Sequence, residues 1–158
     1  MKSPAYKDSK IEYDALFVGN DKGRLKDILQ LEQDLKGQGL KTKFLIVGCN
    51  SPMLEYADIL DYISQSKAIV DFQGDWQHGI TLRPLEALFY GKKLITNSEE
   101  VEKMDFYRPA NVFCTYKDDI NSINKFLDSP LDAISEEVVK KYDLIGWVER
   151  FQNRTNGK

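Results

Sequence analysis

Apolar residues along this chain come in short blocks, each closed by glycine or polar residues, and the blocks alternate between two periods. Tyr13-Asp14-Ala15-Leu16-Phe17-Val18 is an apolar run that stops at Gly19, the pattern of a buried strand feeding a turn. Beyond Asn20-Asp21-Lys22-Gly23 the spacing changes. Leu25, Ile28, Leu29, Glu32 and Leu35 fall at helical intervals, and the helix is expected to end at Gly37 or Gly39. Phe44-Leu45-Ile46-Val47 gives a second buried run closed by Gly48, and Leu54 to Ser64 reads as a helix with Leu54, Ile59, Leu60 and Ile63 inside. Ala68-Ile69-Val70-Asp71-Phe72 predicts a third strand. Pro84 to Tyr90 predicts a compact helix with proline in its first turn and Gly91 just past its end.

Leu94-Ile95-Thr96 and Val112-Phe113-Cys114 supply two further short strands. Asp118 or Asp119 can cap a helix running through Leu127, and Ser135 with Glu136 and Glu137 starts another, its acids at the positive end. Leu144, Trp147, Val148 and Phe151 mark a last apolar stripe. Residues 1–12 are polar, include Pro4 and suit a linker or tail; 13–152 form one domain, and 153–158 a second tail. Strands alternating with helices predict an α/β, Rossmann-like, three-layer α/β/α domain. Its mostly parallel sheet is covered on both faces, and ligands of such sheets sit at the carboxyl ends of the strands.

Charge narrows the partners. The 22 basic and 25 acidic residues are spread along the chain, net charge -3, so no basic block offers a footprint for nucleic acid or a membrane surface. An anion must then be bound locally. No apolar run approaches the roughly 20 residues that cross a bilayer and no signal-peptide pattern opens the chain, so a soluble, cytoplasmic protein is expected. Cys49 and Cys114 lack metal-site spacing and read as ordinary thiols. With His78 the single histidine, no metal is expected and no cofactor is implied.

Two stretches carry candidate chemistry. In the turn Gly19-Asn20-Asp21-Lys22-Gly23-Arg24, glycine lets a ligand approach the backbone, and helix N-terminal amides with Lys22 and Arg24 can hold a diphosphate. The turn lacks both GxGxxG and the P-loop pattern, and taken alone it reads first as a tight turn with solvated charges. The second stretch runs from Gln77 through His78, Gly79, Thr81, Arg83 and Glu86 to Leu88. Glu86, placed in the first turn of its helix, would be favoured there by the helix dipole alone. Alternatively its carboxylate accepts hydrogen bonds from the vicinal hydroxyls of a ribose.

Gly79 to Asn97, with Gly-x-Thr-x-Arg-x-x-Glu-Ala-Leu, a glycine five residues beyond the glutamate, then Lys-Leu-Ile-Thr-Asn, resembles the donor-site motif of GT-B glycosyltransferases. It is most similar to bacterial lipopolysaccharide and capsular-polysaccharide biosynthesis proteins, and the likeness extends from Tyr13 to Phe151. The resemblance implies that Glu86 binds the ribose of a nucleotide diphosphate sugar. It implies too that His78, standing where many members carry a first acid, faces the sugar or phosphate, that Thr81 and Gly79 belong to the same loop, and that Gly19, Lys22, Arg24 and Arg83 approach the diphosphate. Trp147 and Phe151 resemble the family's final helix.

Such enzymes close two Rossmann-like domains over the donor, so the chain is expected to be one half of a GT-B fold and inactive alone. A saccharide or lipid-linked acceptor would bind through a missing N-terminal domain, and the full enzyme could sit peripherally at the inner face of the bacterial membrane. The rival class is a flavodoxin-like or receiver-type module, which shares the alternation and length; a third is a degenerate transferase domain kept for protein contacts.

Overall fold

The computed structural model describes residues 10–20, 23–73 and 82–142. Five strands, β1 (Tyr13–Asn20), β2 (Thr42–Val47), β3 (Ser66–Asp71), β4 (Lys93–Thr96) and β5 (Val112–Cys114), form one sheet in the order β2-β1-β3-β4-β5. Every pairing is parallel, with registers such as Phe17 beside Phe44, Leu16 beside Ile69 and Ile95 beside Phe113. The helices are α1 (Leu25–Gly37), α2 (Tyr56–Ser64), α3 (Leu82–Tyr90), α4 (Ile123–Asp128) and α5 (Glu136–Tyr142).

Strand residues point alternately to the two faces, so a strand buried on both sides is apolar throughout and serves two cores. On β1, Ala15 and Phe17 pack with Ile28, Leu31 and Leu35 of α1 and with Ile123 and Leu127 of α4. Leu16 and Val18 instead meet Ile63 of α2, Leu85, Ala87 and Tyr90 of α3, and Val101. The chain is therefore a three-layer α/β/α domain with an all-parallel sheet. Tyr142 of α5 donates to Asp105 at 2.7 Å and lies edge-on to Phe106, which ties α5 to the second face.

Several boundaries differ from the sequence expectation. Helix α2 starts at Tyr56 rather than Leu54, because Glu55 is extended (ψ 151°) and its carbonyl accepts the first helical amides, from Asp58 and Ile59. On α1 the buried residues are Ile28, Leu31 and Leu35, which share one stripe, while Leu29 is 38% exposed and lies on its flank. A 3-10 helix at Glu99–Lys103, capped by Ser98, was not predicted. Asp119, one of the two acids expected to cap the fourth helix, accepts from the Asn121 amide and starts a 3-10 turn, Ile120–Ser122, that leads into α4. The stripe Leu144 to Phe151 and both proposed tails lie outside the described residues, apart from Lys10 to Glu12.

The order places β1 between β2 and β3. Helix α1 leaves β1 over one face toward β2, and α2 returns over the other face toward β3. The carboxyl ends of β1 and β3, from which the chain turns to opposite faces, are therefore the topological switch point of the sheet, the place where such sheets take ligands.

Candidate functional site

Three segments meet at this switch point. The first is the end of β1 and its turn into α1. Gly19 is still part of the strand, paired with Ile46, and an added Cβ would lie 3.5 Å from the Phe17 ring, an ordinary contact. The conformational need falls four residues later, where Gly23 has φ +79°, a left-handed value that suits glycine. Arg24 follows at the N-cap of α1, and its own side chain makes no cap hydrogen bond to the helix amides. Its Nε donates to Asp27 at 2.7 Å. Its guanidinium lies 5.4 Å from the centre of the Phe72 ring, so it reaches across to the residue that follows β3.

The second segment is the first half of α3. Because this helix starts at Leu82, Arg83 occupies its first turn and Glu86 its second. The sequence expectation that Glu86 sits in the first turn is thereby corrected, and the helix dipole, which acts within that turn, does not account for it. Glu86 is fully buried. Its Oε1 accepts from Arg83 Nη1 and its Oε2 from the Tyr56 hydroxyl at 2.8 Å. Arg83, with 19% of its side chain exposed, also donates through Nη2 to the Val18 carbonyl at 3.2 Å. A single guanidinium thus joins α3 to the end of β1. Burial, and then the charge of Glu86, pushes the Tyr56 hydroxyl far above the ordinary tyrosine range, so it stays protonated and donating.

The third segment is a buried polar network at the ends of β3 and β4. Asp71 accepts from the Thr96 hydroxyl at 3.0 Å and from the Gln73 amide group at 3.3 Å. The Asn97 side chain pairs with the Gln73 backbone, accepting at 2.8 Å and donating at 2.9 Å. These bonds fix the start of the segment that leads from β3 toward α3.

Of the residues singled out in the sequence, Arg83 and Glu86 are paired and joined to the end of β1 beside Gly19, and Arg24 stands at the head of α1 against the Phe72 ring. Lys22, His78, Gly79 and Thr81 lie outside the described residues. Sequence reasoning missed Tyr56, whose partner lies 30 positions away, and it missed Asp71. Thr96 and Asn97 stood inside the quoted Lys-Leu-Ile-Thr-Asn segment without an assigned role, and their place at a strand's carboxyl end was the signal available for them.

Both cysteines are free thiols, Cys49 exposed and Cys114 buried. Among the described residues no three His, Cys, Asp or Glu side chains gather as a metal would require, and no helix is long and apolar enough to cross a membrane. No protein-family model matches the chain, and no curated protein matches it.

Proposed function

We propose that this domain binds a nucleotide diphosphate sugar at the switch point of its sheet, as the donor-binding half of a glycosyltransferase acting in lipopolysaccharide or surface-polysaccharide assembly. The observation that carries the reading is the arginine bridge: Arg83 spans from Glu86 to the Val18 carbonyl. A buried ribose-type carboxylate and a partly exposed phosphate-type cation are therefore paired beside the end of β1, next to the switch point where doubly wound sheets take their ligands. Arg24 and the amides at the start of α1 follow the same strand, β1, and helix N-termini favour anions.

Cleavage of the bond between the anomeric carbon and the phosphate leaves negative charge on the diphosphate. Arg24, Arg83 and the helix amides are suited to stabilise that charge without a metal. The acceptor and the catalytic base belong, on this reading, to a partner domain.

The strand order is also that of flavodoxin-like and receiver modules. A receiver needs acids clustered at the end of β1, but Asp14 lies near its other end, where it accepts from the Lys41 amide and meets Lys67. Asp71, at the end of β3, is buried and held by Thr96 and Gln73 rather than open to a phosphoryl donor.

Titration of the isotope-labelled chain with uridine, guanosine, cytidine and adenosine diphosphates tests the proposal. Amide signals of Gly19 to Arg24 and Gly79 to Glu86 should move with at least one of them. A spectrum unmoved by all four at millimolar concentration would sink the donor-site reading.

A further inference from the structure

Glu86 is fully buried and both its oxygens are engaged, so no ribose can reach it in this conformation. This is informative, because a buried carboxylate stripped of partners is strongly unfavourable and an access route must replace each bond it breaks. The two partners differ in what they can do. Tyr56 is a partly buried side chain whose hydroxyl, among the described residues, bonds to Glu86 alone. Arg83 is partly exposed, holds the Val18 carbonyl as well, and among the described residues engages two of the roughly five N–H groups of a guanidinium. It also sits in the first turn of α3, where a cation opposes the helix dipole and an anion in front of the helix would favour both.

Resting on the donor-site reading above, we infer that Arg83 is exchanged between two anions: Glu86 in the empty domain and the donor's diphosphate in the loaded one. The carboxylate retains Tyr56 on Oε2, and Oε1, released by Arg83, is open to the ribose hydroxyls. A carboxylate has about four acceptor positions, so Tyr56 and two hydroxyls are accommodated together. Tyr56 is thus a positioning residue, holding the buried charge while its other partner changes. The exchange couples the two halves of the ligand: diphosphate opens the ribose site, and ribose releases the arginine.

The test uses the two halves as separate probes on the full chain, with inorganic pyrophosphate and a panel of four nucleosides measured by calorimetry and amide shifts. Saturating pyrophosphate should tighten the binding of the preferred nucleoside at least about fivefold, and by linkage the nucleoside should tighten pyrophosphate equally. Tyr56→Phe removes no phosphate contact, yet should weaken pyrophosphate severalfold, because the departing arginine then leaves the carboxylate bare. Arg83→Met should abolish the coupling, its folding checked by circular dichroism.

Independent binding of the two probes, or nucleosides that bind neither alone nor with pyrophosphate, overturns the exchange. So does pyrophosphate affinity unchanged in Tyr56→Phe. If nucleoside diphosphates still bind in those cases, the donor-site reading stands. If neither pyrophosphate nor any nucleoside diphosphate binds the wild-type chain, both fall together.

Discussion

Glu86 is a carboxylate shut off from water, and its bonds to Arg83 and Tyr56 decide how far any change at this position propagates. Removing one partner of a buried ion pair leaves the other uncompensated, so Glu86→Ala should destabilise the fold by about 3–5 kcal/mol. Tyr56→Phe, which deletes a single bond to a charged acceptor, should cost about 1.5–3 kcal/mol. In urea titrations the double variant should fall well short of the sum, because both changes remove the same contact. Additive losses would mean that the 2.8 Å bond contributes nothing to stability. At this scale the sequence was uneven. Glu86 and Arg83 were legible because they sit three residues apart in a recognisable motif. Tyr56 was not, since only the packing of α2 beside α3 aims its hydroxyl at that carboxylate, and a tyrosine at a helix start has no local signature.

At the scale of elements, both edges of the parallel sheet are closed by a single side chain. On β2, Asn50 accepts from the Ile46 amide at 2.8 Å and donates to the Phe44 carbonyl at 3.0 Å, imitating a neighbouring strand. On β5, Asp118 accepts from the Cys114 amide at 2.7 Å. Open parallel edges are templates for association, and these caps occupy groups that another chain would otherwise pair with. Asn50→Ala should therefore cost about 1–3 kcal/mol in denaturant and promote concentration-dependent assembly in light scattering. A variant as stable and monomeric as the parent would show the cap to be idle. The strands themselves were readable as apolar runs bounded by glycine. The Glu99–Lys103 helix was hidden, because Val101 is its single buried residue and five residues give a period no room to repeat. The edge caps were hidden too, since asparagine and aspartate after a strand look like any turn residue.

For the molecule as a whole, the alternation of elements implied a doubly wound sheet before any coordinate, but the strand order is a tertiary fact. The sequence expectation stopped at a mostly parallel sheet, and nothing local to the chain dictates that β1 lies between β2 and β3. That order has an energetic consequence, because the same central strands feed both cores. Leu35 of α1 lies on one face and Ile63 of α2 on the other, and both are fully buried. Truncation to alanine at either site removes transfer energy and leaves a cavity, at about 2–5 kcal/mol each. If the sheet welds the two layers into one cooperative unit, each variant lowers the urea midpoint with an unchanged slope, and fluorescence and circular dichroism trace one transition. The costs should add within about 0.5 kcal/mol, since the sheet stands between the two sites and they share no neighbour. A biphasic transition in Ile63→Ala alone would mean that the layer of α2 and α3 unfolds separately. It would carry Glu86 and Arg83 with it, so the switch point would come apart in a partly folded molecule before the α1 layer is lost.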